Sequence, residues 1–225
     1  MSTGTDAPAG TADVARVVLR PVGTPLPLGF LGLVVATVAF ASVQLGWVPA
    51  TQGSLVALGV LAFTVPTQLV ACVVGFLARD PVAGTGMGVL AGTWGAVALV
   101  TLTTPPGASS PGLGVLLLCA AAALLVPATA GLAKPVAAVV MALSVLRFAL
   151  TGVAEISGSS TWLSVAGVTG LVLGAVALYA ALAFELEDVR GHAVLPLFRR
   201  GAGASAGLPA DLGHVTGEAG VRPQL

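Results

Sequence analysis

Charge is scarce in this chain. Nine basic and nine acidic residues among 225 make 8% charged and a net charge of zero, against roughly 25% charged in soluble domains. With no basic surplus and only 5% aromatics, the sequence offers neither the electrostatic footprint nor the stacking platform of a nucleic-acid binder. Cysteine is nearly absent. Cys72 and Cys119 both lie in apolar runs, where a thiol packs as a small soft side chain, so neither a disulfide nor a metal site is expected. The two histidines, His192 and His214, follow the last apolar stretch. With no Ser, His and acidic set inside the apolar runs and no phosphate-binding glycine loop, neither an enzyme nor a cofactor is expected.

What is abundant is apolar. Hydrophobic residues make up 56% of the chain alongside 30 glycines, and the mean hydropathy is +1.03. A water-facing surface cannot be built from that composition, which also excludes a disordered chain, a coiled coil and a disulfide scaffold. The composition is that of a membrane protein.

Uncharged stretches set the number of crossings. Pro25 to Ala78 runs 54 residues without a charge, while a hydrocarbon core about 30 Å thick takes roughly 20 helical residues per crossing. Two helices are required, and Gly46 to Gly53, with Trp47, Pro49, Thr51 and Gln52, supplies the interfacial anchor and turn between them. The 53 residues from Pro81 to Ala133 divide in the same way at Thr103 to Gly112. Pro135 to Ala154 and Thr161 to Phe184 complete the set, separated by the polar turn Glu155 to Ser160. The expected fold is an all-α membrane protein, a bundle of six transmembrane helices at about 25–45, 54–78, 82–103, 113–133, 135–154 and 161–184, within a domain of residues 25–200. The tails, 1–24 and 201–225, are rich in Gly, Ala and Pro and are expected to be disordered. The first 24 residues lack the basic start and short apolar core of a cleavable signal.

Orientation follows from the cations. Arg16, Arg20, Arg79, Lys134, Arg190, Arg199, Arg200 and Arg222 all fall on one side of the predicted bundle, and the opposite loops carry only Glu155. The positive-inside rule therefore predicts cytoplasmic termini in a multi-pass protein of the cell membrane.

Within the spans, Gly84, Gly88 and Gly92 recur every four positions, as do Gly170 and Gly174. Such stripes allow a neighbouring backbone to approach closely. Pro66 and Pro127 interrupt spans two and four, with Thr64, Thr67, Gln68 and Thr129 gathered beside them. Each removes a helix hydrogen bond and can free a carbonyl. Arg147 is the one basic residue inside a predicted span, thirteenth of the twenty from Pro135 to Ala154. A central arginine costs about 2.5 to 3.5 kcal/mol on translocon scales, so it should face protein or water, or snorkel outward. Glu155 is about 12 Å further along the axis, and Thr151, one turn away, is better placed to bond it. Two roles stay open for Arg147: attraction of anions from an outer vestibule or subunit interface, or a structural pairing.

The stretch Thr24, Pro25, Leu26, Pro27, Leu28, Gly29, Phe30, Leu31, Gly32 opens span one with two prolines and then two glycines one turn apart. It resembles the acetate uptake transporter family, small permeases often called YaaH-type, whose first helix opens Asn-Pro-Ala-Pro-Leu-Gly-Leu. Thr24 replaces the Asn and Leu26 the Ala. Thr37, Gly46, Gln68 and Trp94 fall where the family has the same residues, and Gln44 stands where an Asn is usual. Gly170, Gly174 and Tyr179, followed by Gly191, Val194, Leu195 and Pro196, resemble the family's closing pattern. The likeness spans about Thr24 to Leu197.

That resemblance implies a pore within each protomer, a homo-oligomer of six, and transport of acetate or a similar small monocarboxylate, with protons or as the anion. It implies a substrate path along Thr24, Pro25, Pro27, Gly29, Gly32, Thr37, Gln44 and Gln68. The implied constriction is Leu33, Leu90 and Leu143, where the first two replace a Phe and a Tyr. The same three leucines also fit plain packing. The partners implied are the lipid bilayer, a small carboxylate and protons. A carboxylic acid with a pKa of roughly 4.3 is almost all anion at neutral pH and needs a protein path across hydrocarbon. A pore for another small solute, or a scaffold or sensor that kept the bundle and lost the path, also fits the composition.

Overall fold

The computed structural model describes residues 23–199; the expected tails, with Arg16, Arg20, Arg222 and His214, lie outside that range apart from Gly23 and Thr24, as does Arg200 at the end of the expected membrane domain. Six helices are long and apolar enough to cross a membrane, and no strand is present among the described residues. The first is α1 (Leu26–Gln44). The second crossing is composite: α2 (Gly53–Gly59), one π-helical turn (Val60–Thr64) and α3 (Val65–Leu77). Then follow α4 (Pro81–Thr103), α5 (Pro111–Ala130), α6 (Pro135–Ser157) and α7 (Ser160–Arg190). The protein is an all-α, six-crossing membrane bundle.

Proline starts most of these helices, because its fixed φ suits the first turn and its missing N–H would be unpaired there anyway. Pro27, Pro81, Pro111 and Pro135 occupy such positions. Side-chain caps complete three helix starts: Asp80 accepts from Ala83 N at 3.1 Å, Ser110 from Leu113 N at 3.3 Å and Ser159 from Trp162 N at 3.5 Å. Gly158 and Gly191, at φ of 63° and 69°, take the left-handed conformation that stops α6 and α7.

Both ends differ from the expected bounds for physical reasons. The α6 helix runs past Ala154 to Ser157, since the Glu155 carboxylate is occupied by the Ser110 N–H at 2.7 Å and need not break the helix. The α7 helix continues past Phe184 to Arg190. Its last turns are charged but helix-compatible, so hydropathy marks where the bilayer ends and not where the helix does.

Glycines set the closest helix contacts. A methyl added at Gly114 would lie 2.7 Å from the Gly152 carbonyl, and one at Gly152 would lie 2.8 Å from that of Gly114, so α5 and α6 touch backbone to backbone. Gly75 of α3 meets Gly84 of α4 as closely, at 2.7 Å from its amide nitrogen. The stripe on α4 divides its labour. Gly84 receives the Phe76 ring and Gly88 the Cys72 sulfur, but Gly92 is exposed with nothing within 4 Å. On α7, Gly174 fits against Val38 of α1 and Gly167 against Leu45, the residue that follows α1.

The π turn sits just ahead of Pro66, where the ladder is already broken. Thr67 Oγ1 donates to the carbonyls of Phe63 at 2.8 Å and Thr64 at 3.0 Å, re-satisfying part of the disturbed backbone.

Candidate functional site

At one end of the bundle a charged mouth forms around the start of α1. Two cavities of about 300 and 460 Å³ share Thr24, Lys134 and Asp188 as lining; Arg199 borders one, and Arg79 and Pro25 the other. Asp80, already capping α4, takes Lys134 Nζ at 2.5 Å and so ties the N-terminus of α4 to that of α6. Arg199 pairs with Glu187. The segment carrying Arg199 folds back on α7: Tyr179 Oη donates to the Pro196 carbonyl at 2.8 Å, and Leu197 is buried. Pro25 and Pro27 are buried at this mouth.

Deeper in, a polar seam joins α1 to the second crossing. The carbonyls of Gly32 and Gly29, one turn apart, accept from Thr64 Oγ1 at 2.9 Å and from Gln68 Nε2 at 3.5 Å. At Gly32 the lack of a side chain permits the approach, since a methyl there would overlap Thr67 Oγ1; Gly29 makes room instead for the Met87 sulfur of α4. Gln68 is fully buried, and its Oε1 has no partner among the described residues. Leu33 and Leu90 are fully buried in one apolar cluster, against which partly buried Leu143 packs.

One turn further along α1, the Thr37 hydroxyl donates to the Gly170 carbonyl at 3.3 Å. Gly170 also carries the Arg147 guanidinium on its bare face, since a methyl there would lie 2.8 Å from Nε. Arg147 is only 1% exposed. It is thirteenth of the 23 residues of α6, about 1.5 Å from mid-helix, and so deeper than the shorter predicted span implied. Its Nη1 donates to Thr151 Oγ1 at 3.0 Å and to the Ala166 carbonyl at 2.8 Å. No carboxylate lies within ion-pair distance of it among the described residues, where both ion pairs are at the mouth.

Phe148, the residue after Arg147, meets Trp94 edge-on at 5.4 Å, and Trp94 stacks on Phe40 with centroids 5.8 Å apart. Arg147 Nε, Trp94 Nε1 and Gln44 Oε1 are, like Gln68 Oε1, buried without a partner among the described residues. The roles of Thr64 and Ala166 were not legible in the sequence. Thr64 stood out only as a neighbour of Pro66, and a backbone carbonyl such as that of Ala166 leaves no mark on composition. Cys72 is part-buried and Cys119 exposed, both as free thiols.

No family model matches this sequence, and no curated protein matches it. Among solved structures, that of the bacterial acetate channel SatP is similar to it over 79% of this chain and 99% of the other, with a TM-score of 0.68 and 22% identity. At that identity the likeness establishes architecture, so the conclusion is one of fold: this chain shares the six-helix bundle of a bacterial membrane channel.

Proposed function

We propose that this protein is a cell-membrane channel or permease for acetate or a similar small monocarboxylate. The observation that carries the reading is the likeness of fold to an acetate channel across 99% of that chain. The structural neighbour is a channel and not an enzyme, in line with transport. The first-helix motif adds support, since Thr24 and Pro25 line the mouth and Gly29 and Gly32 form the polar seam.

In this reading the solute enters the mouth at Thr24, Pro25 and Pro27. It passes Gly29, Gly32 and Gln68, crosses the narrowest level at Leu33, Leu90 and Leu143, and continues past Thr37 and Gln44. An apolar ring between weak polar stations favours passage, because conduction fails where binding is too strong. The mouth carries Arg79, Lys134 and Arg199 and faces the cytoplasm, with both termini on that side. The functional unit is a homo-oligomer, a hexamer by the family resemblance.

Leu90, where the resemblance implies a Tyr, supplies no hydroxyl at the narrowest level. That difference favours a second reading, a pore for a different small solute. Uptake of labelled carboxylates into proteoliposomes separates the two. Acetate uptake above that of protein-free vesicles supports the first, and its dependence on an imposed proton gradient distinguishes symport from a channel. No uptake of any small carboxylate would overturn the proposal.

A further inference from the structure

Arg147 is a cation in the middle of a membrane helix with no protein counter-charge among the described residues. Both of its hydrogen bonds leave from Nη1 and end on neutral oxygens, while Nε is buried with no acceptor. Neutral acceptors only partly offset the desolvation of a charge; an anion offsets it far better. Intramembrane cations without a protein partner accordingly tend to lie on ion pathways.

The position of Arg147 ties it to the proposed path. Along α6 it lies four residues beyond Leu143, and along α1 Thr37 lies four residues beyond Leu33, one turn in each case. The first and fifth crossings of an up-and-down bundle run in the same direction, so both steps lead away from the mouth. Thr37 and Arg147 then meet at one residue, Gly170, which accepts from the first and makes room for the second. The leucine level is followed by a level holding a buried hydroxyl and a buried guanidinium.

We propose that Arg147 is a binding station for the solute carboxylate, directly beyond the leucine level. The proposal rests on the carboxylate reading above and names the group that would hold the anion within the membrane. It differs from long-range attraction at an outer vestibule, because the guanidinium is enclosed by protein and acts by direct contact. Gly170 is the positioning residue that leaves space for it.

Binding can be read without any flux, which keeps this test separate from that of transport. The full-length protein in detergent is unfolded by heat across a titration of sodium acetate, with sodium chloride at matched concentration as the control. A ligand that binds only the folded state raises the midpoint in a saturable manner. For the unaltered protein, acetate should do so beyond the effect of chloride. Arg147→Gln should raise the half-effect concentration at least about tenfold, as expected for loss of a charge-assisted hydrogen bond. If the glutamine variant gives no folded protein, Arg147→Lys replaces it and should keep an acetate-specific response with a shifted half-effect concentration. Equal responses to acetate and chloride, no acetate response in the unaltered protein, or an unshifted titration in the variant would each overturn the assignment.

Discussion

Gly170 and Arg147 share one space: the guanidinium of the arginine occupies the place where any side chain on residue 170 would stand, 2.8 Å from a methyl carbon built there. A glycine read from sequence as a helix-packing residue thus also houses the one buried cation among the described residues.

Gly170→Ala should therefore be costly for its size. The added methyl meets Arg147 Nε at 2.8 Å and Ala41 Cβ at 3.1 Å, and overpacking of this kind typically costs about 1 to 3 kcal/mol. A lowered thermal midpoint in detergent checks it, and an unchanged midpoint would mean that Arg147 moves aside freely.

The glycines of α3 and α4 give a graded prediction. Gly75→Ala, aimed at the Gly84 backbone at 2.7 Å, and Gly88→Leu, aimed at the Cys72 sulfur at 3.0 Å, should impair folding or assembly. Gly92→Ala, with nothing within 4 Å, should leave stability unchanged or raise it by up to about 1 kcal/mol. Size-exclusion profiles and thermal midpoints of the three variants test the order.

Topology is checked by reporter fusions. Gly107 and Gly158 lie in turns at the end of the bundle opposite the charged mouth, and fusions at both should report the outside. Cytoplasmic signals at both positions would reverse the proposed orientation.

Leu33, Leu90 and Leu143 should respond to truncation if they limit passage. Leu90→Ala should raise flux or admit larger carboxylates, at a stability cost of about 2 to 5 kcal/mol for a buried leucine. Flux unchanged in all three alanine variants, with folded protein confirmed, would make them packing residues only.

The six crossings were legible because uncharged runs of 54 and 53 residues leave no other solution in a bilayer of fixed thickness. The helix ends were less so, since Glu185, Glu187, Asp188 and Arg190 are charged yet helical. Periodicity found Gly84 and Gly88, which meet Phe76 and Cys72 within the chain, while Gly92 meets nothing within 4 Å in the same chain; it passed over Gly75, Gly114 and Gly152. A lone glycine becomes a contact only through the helix opposite, which one sequence does not reveal. The spacing that favoured Thr151 over Glu155 as a partner for Arg147 agrees with the observed bond. The Ala166 carbonyl and the space at Gly170 are tertiary facts with no local signature.

The most direct test of the account is the initial rate of labelled acetate entry into proteoliposomes containing the full-length protein near pH 7.5, where passive leakage of the neutral acid is small. Saturable entry well above that of protein-free vesicles, with competition from other small monocarboxylates, is the expected result. A rate equal to that of protein-free vesicles, from protein shown to be folded and inserted, would contradict it.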